Sequence, residues 1–141
     1  MKKSIFYITT PLYYVNDEPH IGHAYTTILA DVISRFQRSL ENDVYFLTGT
    51  DEHGQKVQEA SEKKGVSPQN HADKYVRRFI DLWKKLNINY DDFIRTTEKR
   101  HTDRVKDLLM ILWEKGEIYQ DEYEGLYSVS EERFITEKEY E

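Results

Sequence analysis

The strongest constraint on this chain is a strand–helix–strand run within its first fifty residues. Ile5-Phe6-Tyr7-Ile8 and Val44-Tyr45-Phe46-Leu47 are short continuous apolar runs, the pattern of strands buried on both faces of a sheet. Between them, from Gly22 to Leu40, the residues Ile28, Leu29, Val32, Ile33, Phe36 and Leu40 recur at helical spacing and form one apolar stripe. Two buried strands joined by a helix and short turns make a βαβ unit, which implies parallel pairing and a right-handed crossover. The second run is expected to end in a Thr48-Gly49-Thr50 turn.

Downstream, the spacing predicts a helix from Gly54 to Lys64, stopped by Gly65. Ser67-Pro68 then opens another, with Ser67 as N-cap and proline at the first helical position. Its stripe of Ala72, Tyr75, Val76, Phe79, Ile80, Trp83 and Leu86 is the cleanest in the chain. Phe93-Ile94-Arg95 is a short strand candidate. A further helix is expected from Glu98 to Lys115, with Val105, Leu108, Leu109 and Leu112 facing inward and Gly116 terminating it. Trp83 and Trp113 are expected core anchors, and His71 and His101 surface or satisfied core residues. Past Gly116, Tyr119, Tyr123 and Tyr127 alternate with polar residues, the mark of hairpins. The expected division is therefore 1–116 and 117–141.

Composition narrows the function classes. With 38% hydrophobic and 33% charged residues in 141, the chain suits one soluble domain with a modest core. It has no cysteine, which removes disulfides and thiolate metal sites. No signal-peptide pattern and no membrane-length apolar run occurs, so a cytoplasmic location is expected. Residues 1–120 hold 18 basic and 18 acidic side chains, whereas 121–141 hold eight acidic ones against Arg133 and Lys138. The whole net charge of −6 thus lies in the last segment, which argues against that end gripping a phosphate backbone.

Two polar turns carry the chemistry. His20-Ile21-Gly22-His23 follows the first strand and opens its helix, the place where open α/β sheets bind ligands. Helix N-termini attract phosphate, glycine lets a bulky ligand approach, and imidazole N–H groups can meet developing charge on phosphoryl oxygens. A metal site and a purely structural role are the alternatives, but metal ligation on a helix wants further ligands and the nearest extra histidine is His53. Spacing alone leaves the nucleotide reading at roughly even odds. The second turn, Phe46 to Gly54, reads FLTGTDEHG. Asp51, Glu52 and His53 there are open to metal, acid–base or helix-capping roles. Two polar turns at adjacent strand ends favour one shared site.

Taken together, PHIGHAYTT and FLTGTDEHGQKV resemble the amino-terminal half of the catalytic domain in the methionyl-tRNA synthetase family of class I aminoacyl-tRNA synthetases. The resemblance runs from YITTPLYYVND through FIRTT to YEGLYSVSEERF. It implies the first half of a Rossmann-like parallel-sheet nucleotide-binding fold over 1–116 and the start of an inserted connective-peptide subdomain over 117–141. It also implies an ATP-dependent methionine–tRNA ligase, with ATP as substrate alongside Mg2+, and methionine and tRNA(Met) as partners. Carried over by residue, His20 and His23 become catalytic, and Pro11, Tyr14, Asn16, His20, Gly22 and His23 become ATP contacts. Leu12, Tyr14 and Asp51 become methionine contacts, with Asp51 holding the ammonium. No metal ligand follows.

Two departures matter. The family's Lys-Met-Ser-Lys-Ser loop and anticodon-binding helices are absent from these residues, so the resemblance implies a fragment of a longer enzyme, inactive by itself, with tRNA held by parts not present here. Where many relatives carry a Cys-x-x-Cys zinc knuckle, this chain has Ser128-Val129-Ser130-Glu131, a poor replacement for thiolates, so no zinc is expected. A non-catalytic binding module and another His-x-Gly-His nucleotidyltransferase remain the competing functions.

Overall fold

The computed structural model describes residues 3–136 and 139. They fall into two compact units, 1–105 and 106–141. In chain order the elements are β1 (Ile5–Thr9), β2 (Tyr13–Tyr14), α1 (Ile21–Ser39), β3 (Asp43–Asp51), α2 (Gln55–Glu62), α3 (Pro68–Lys85), β4 (Asp92–Arg95), α4 (Lys99–Glu114), β5 (Leu126–Ser128) and β6 (Arg133–Ile135). None of the described helices is long and apolar enough to cross a membrane.

The first four strands form one parallel sheet built around β3. Leu47 pairs with both Thr9 and Asp92, and Thr50 with both Tyr13 and Arg95. A strand has only two edges, so β4 occupies one edge of β3 while β1 and β2 follow each other along the other. Between the matched pairs Thr9–Leu47 and Tyr13–Thr50 the outer edge spends one residue more than β3 does. Pro11 sits at that offset. Proline has no N–H to give a ladder, so it belongs at an edge or a bulge. Pairing lapses after Thr10, whose N–H still reaches the Leu47 carbonyl at 3.2 Å, and resumes at Tyr13 with Leu12 left on the surface.

Thr48-Gly49-Thr50 is strand, not the expected turn, because β3 continues to Asp51. The glycine answers a packing need instead. A Cβ at position 49 would lie 2.0 Å from the Ile94 carbonyl oxygen of β4, so only glycine lets the two strands approach.

The helix ends follow local chemistry. Ser67 caps α3 by accepting from the Asn70 N–H, and Gly65 and Gly116 take positive φ after α2 and α4. The core of the first unit gathers around α3: Ala72, Tyr75, Val76, Phe79 and Trp83 pack with Tyr13, Val15 and Val57. His71 is buried as well, stacked on Tyr75 and bonded through Nε2 to the Val15 carbonyl at 2.9 Å. It is a satisfied core residue, one of the two outcomes expected for it.

Three expected faces are not covered. Ile5 and Tyr7 of β1 stand 85% and 59% exposed, because β1 lies at the sheet edge with that face open among the described residues; Tyr7 stacks on Tyr45 alone. Helix α1 buries Thr27, Ala30, Asp31 and Ser34, while Ile28, Leu29, Val32, Phe36 and Leu40 are exposed. Its packed face is held by polar bonds: Asp31 accepts from the Asn89 N–H at 2.8 Å, and Arg35 and Arg38 reach the Asn87 carbonyl and the Asp91 carboxylate at 2.6 Å each. Helix α4 buries no residue, and Val105, Leu108, Leu109 and Trp113 are all exposed; Trp113 is therefore not a core anchor here. The second unit also holds the β5–β6 hairpin, antiparallel as the tyrosine alternation suggested.

Replacing Gly49 with alanine, in a full-length protein carrying this segment, is expected to lower unfolding free energy by about 3 kcal/mol or more, since backbone cannot yield as a side chain can. Gly65→Ala meets nothing within 4 Å and is expected to cost only about 1–2 kcal/mol, through its positive φ. Denaturant unfolding of both variants checks the contrast.

Candidate active site

At the carboxyl end of the sheet the segment that leads into the first turn lies beside the second, Tyr14 pairing with Asp51. A cleft of about 360 Å³ is lined by Leu12, Tyr13, Tyr14, Asn16, Asp17, Glu18, His20 and His23. Larger depressions, of about 510 and 640 Å³, lie along α3 and α2, lined mainly by charged or polar surface side chains; they gather no comparable chemistry. Five of the residues read from the sequence thus share one cleft: Leu12, Tyr14, Asn16, His20 and His23. Asp51 is brought beside it by register, as the strand partner of Tyr14. Pro11 is outside the cleft lining and acts through the strand offset. Gly22 lies in the first turn of α1 between the histidines.

His20 and His23 form a reciprocal cap on α1. Nδ1 of His20 accepts from the Gly22 N–H at 3.0 Å, and Nδ1 of His23 accepts from the His20 N–H at 3.1 Å. The rings stack with centroids 3.8 Å apart. An Nδ1 that accepts carries no proton, so each neutral ring carries its proton on Nε2. The cap therefore satisfies helix-end N–H groups and sets the tautomer of both imidazoles in one arrangement. Gly22 serves this directly: a Cβ there would lie 2.9 Å from Cε1 of His20.

His23 also rests on the core, edge-on to Tyr13 at 4.8 Å and to Phe79 at 5.2 Å. Burial first, and the neighbouring His20 second, hold its pKa below the ordinary histidine value of 6.5. Tyr13 was not among the residues singled out from the sequence, yet it supports the site. Its hydroxyl pairs with Thr27 at 2.8 Å and its ring stacks on Phe79.

The Asp51–His53 segment has three separate fates. Glu52 is buried and bound by Arg95 through two bonds, of 2.7 and 2.9 Å. His53 Nε2 lies 3.2 Å from the Thr96 carbonyl. Among the described residues the Asp51 carboxylate makes two side-chain hydrogen bonds, both long at 3.5 Å, accepting from the His53 N–H and the Thr96 hydroxyl. It does not cap α2, whose N-cap is Gly54 with no side-chain bond. Among the described residues no group of three or more His, Asp or Glu is placed to hold a metal ion, and Ser128, Ser130 and Glu131 bond to one another across their turn.

Residues 6–141 match the family model described as tRNA synthetases class I (M). The chain belongs to this family. Among its relatives, the methionine–tRNA ligase of Campylobacter jejuni is 52% identical over 133 residues, covering 94% of this chain and 21% of that protein. That of Caldanaerobacter subterraneus is 52% identical over 139 residues, 99% of this chain and 22% of the relative. The chain thus spans about a fifth of these relatives' length. A methionyl-tRNA synthetase of Mycobacterium tuberculosis, solved in complex with methionyl-adenylate, superposes with a TM-score of 0.91 at 45% identity over 96% of this chain and 27% of that one. A leucyl-tRNA synthetase of Agrobacterium radiobacter, at 22% identity and a TM-score of 0.82, shares the fold. The Rossmann-like parallel sheet of this class I (M) member is therefore the expected one.

Because folded His23 holds its proton less tightly than an unfolded histidine, its stabilising contribution is full above pH 6.5. It is expected to fall as pH drops from 6.5 through the lower folded value. A histidine NMR titration should show His23 inflecting below 6.5, with stability declining across the same window.

Proposed function

We propose that this chain supplies the amino-terminal half of the active site of a cytoplasmic methionine–tRNA ligase, which activates methionine with ATP to methionyl-adenylate and passes it to tRNA(Met). The observation that carries the reading is the meeting of Leu12, Tyr14, Asn16, His20 and His23 in one cleft with Asp51 alongside. In that cleft the methionine carboxylate attacks the α-phosphate of ATP and pyrophosphate leaves. No nucleophilic side chain is required, only orientation and stabilisation of developing charge.

Each group has a place in this reaction. Leu12 and Tyr14 take the thioether chain, and Asp51 takes the ammonium, whose desolvation demands an anionic partner. His20 and His23 aim Nε2–H donors at the phosphate oxygens, with Gly22 keeping their cap intact and Asn16 and Pro11 shaping the nucleotide side. Magnesium would accompany the phosphates, as their own counter-ion. Residues 117–141 begin the connective-peptide insertion, without zinc, and tRNA is held by other parts of such an enzyme.

Methionine-dependent exchange of pyrophosphate into ATP by a full-length ligase carrying this segment tests the reading. Exchange driven by another amino acid, or none with methionine, would overturn it. In that enzyme His20→Ala or His23→Ala is expected to cost about 2.7–4 kcal/mol of transition-state stabilisation, with methionine affinity little changed. Asp51→Asn is expected to raise the methionine KM while leaving Tm near that of the parent, which equilibrium binding and thermal melts resolve.

A further inference from the structure

Glu52 is a buried carboxylate with four donors around it. Its Oε1 accepts from the Thr50 hydroxyl and Arg95 Nε at 2.7 Å each. Its Oε2 accepts from Arg95 Nη2 at 2.9 Å and from the Thr97 hydroxyl. Arg95 Nη2 also reaches Asp73 of α3. The main chain repeats the link, since the Glu52 N–H donates to Thr96 Oγ1 at 2.9 Å. Residues 95–97 therefore grip the end of β3 on every side of Glu52. Asp51, one residue earlier, makes no ion pair among the described residues, although a guanidinium is held by its neighbour.

That division is informative. Adjacent strand residues point to opposite faces: Glu52 lies on the face of Thr50 and Arg95 and takes the guanidinium bidentately in a site shielded from water, whereas Asp51 lies on the face of Thr96. Four donors saturate Glu52, and Asp73 occupies more of the Arg95 fork. The clamp is thereby closed on itself, and the Asp51 charge is left for something else. We propose that Glu52 and Arg95, braced by Thr97 and Asp73, are positioning residues for Asp51: they fix the end of β3 against β4, so that the Asp51 carboxylate, without an ion-pair partner of its own among the described residues, is held in place to take the primary ammonium of an amino acid. This rests on the assignment of Asp51 to that ammonium.

The test measures kcat and KM for methionine and for ATP in pyrophosphate exchange, together with Tm, using a full-length ligase carrying this segment. Glu52→Gln keeps the shape and removes the charge that holds Arg95. The methionine KM is expected to rise about tenfold or more, the size of a lost charge-assisted bond, with the ATP KM within about twofold. A merely structural role would lower Tm and the active fraction, hence kcat, and leave the methionine KM where it was. In an Asp51→Asn background Glu52→Gln is expected to add no further rise, because coupled residues are non-additive. An unchanged methionine KM in Glu52→Gln, or an equal rise in both backgrounds, overturns the proposal. Should Glu52→Gln fail to fold, Asp73→Asn and Thr97→Val each loosen one brace and are expected to raise the methionine KM by smaller factors; no rise in either overturns it. Asp51→Asn alone separates the two readings. If it raises the methionine KM and the clamp variants do not, only the clamp fails. If it leaves that KM unchanged, the ammonium assignment fails and the clamp with it.

Discussion

The placing of Asp51 and Tyr14 beside one another depends on how the last five residues of β3 are held. From Leu47 to Thr50 the strand is paired with β4 on one edge, and Leu47 with β1 and Thr50 and Asp51 with β2 on the other; its side chains Thr48 and Thr50 are buried with polar partners. The contact that permits this is backbone to backbone: Gly49 against the Ile94 carbonyl. If β3 and β4 could not close there, Arg95 would not face Thr50, the grip on Glu52 would be lost, and Asp51 would have no defined place beside Tyr14. A parallel sheet buried at its carboxyl end thus does two jobs, supplying stability and aiming the polar turns.

The opposite edge works by interruption. Pro11 breaks the outer ladder and inserts one residue, so β1 and β2 meet β3 in different registers. Since strand side chains alternate by face, a one-residue slip exchanges the faces beyond it. Tyr13 consequently turns inward, under His23 and onto Phe79, while Leu12 and Tyr14 remain at the cleft. His23 then sits against the rings of Tyr13 and Phe79, and its burial there, with His20 beside it, holds its pKa below the ordinary value.

Much of this was legible in the residues. The βαβ order, the Ser67-Pro68 start of α3, its core stripe and the glycine stops follow local rules of periodicity and capping, and they hold here. The two signature turns were found as well, because their composition departs from what a strand or helix needs. What sequence missed has a common cause. Periodicity reports that a helix face is apolar, not what lies against it, and so α1 and α4 expose stripes that looked like core while α1 packs through Asp31, Arg35 and Arg38. Gly49 read as a turn because glycine is commonest there, whereas its neighbour is Ile94, 45 positions away. Glu52 with Arg95, and Tyr13 with Thr27, join residues too far apart in the chain for any local pattern to pair them.

The His20–His23 cap also limits which atoms of the two rings a ligand could meet. Both Nδ1 atoms are committed to backbone N–H groups, so only the two Nε2 positions remain for a ligand. In neutral rings those atoms bear protons and are donors, which suits oxygens of a phosphate and opposes a cation. A metal would have to displace both protons, between rings whose centroids are 3.8 Å apart, with no third ligand grouped nearby among the described residues. The same bonds that begin helix α1 therefore leave the two Nε2 positions, as donors in the neutral rings, for whatever enters the cleft.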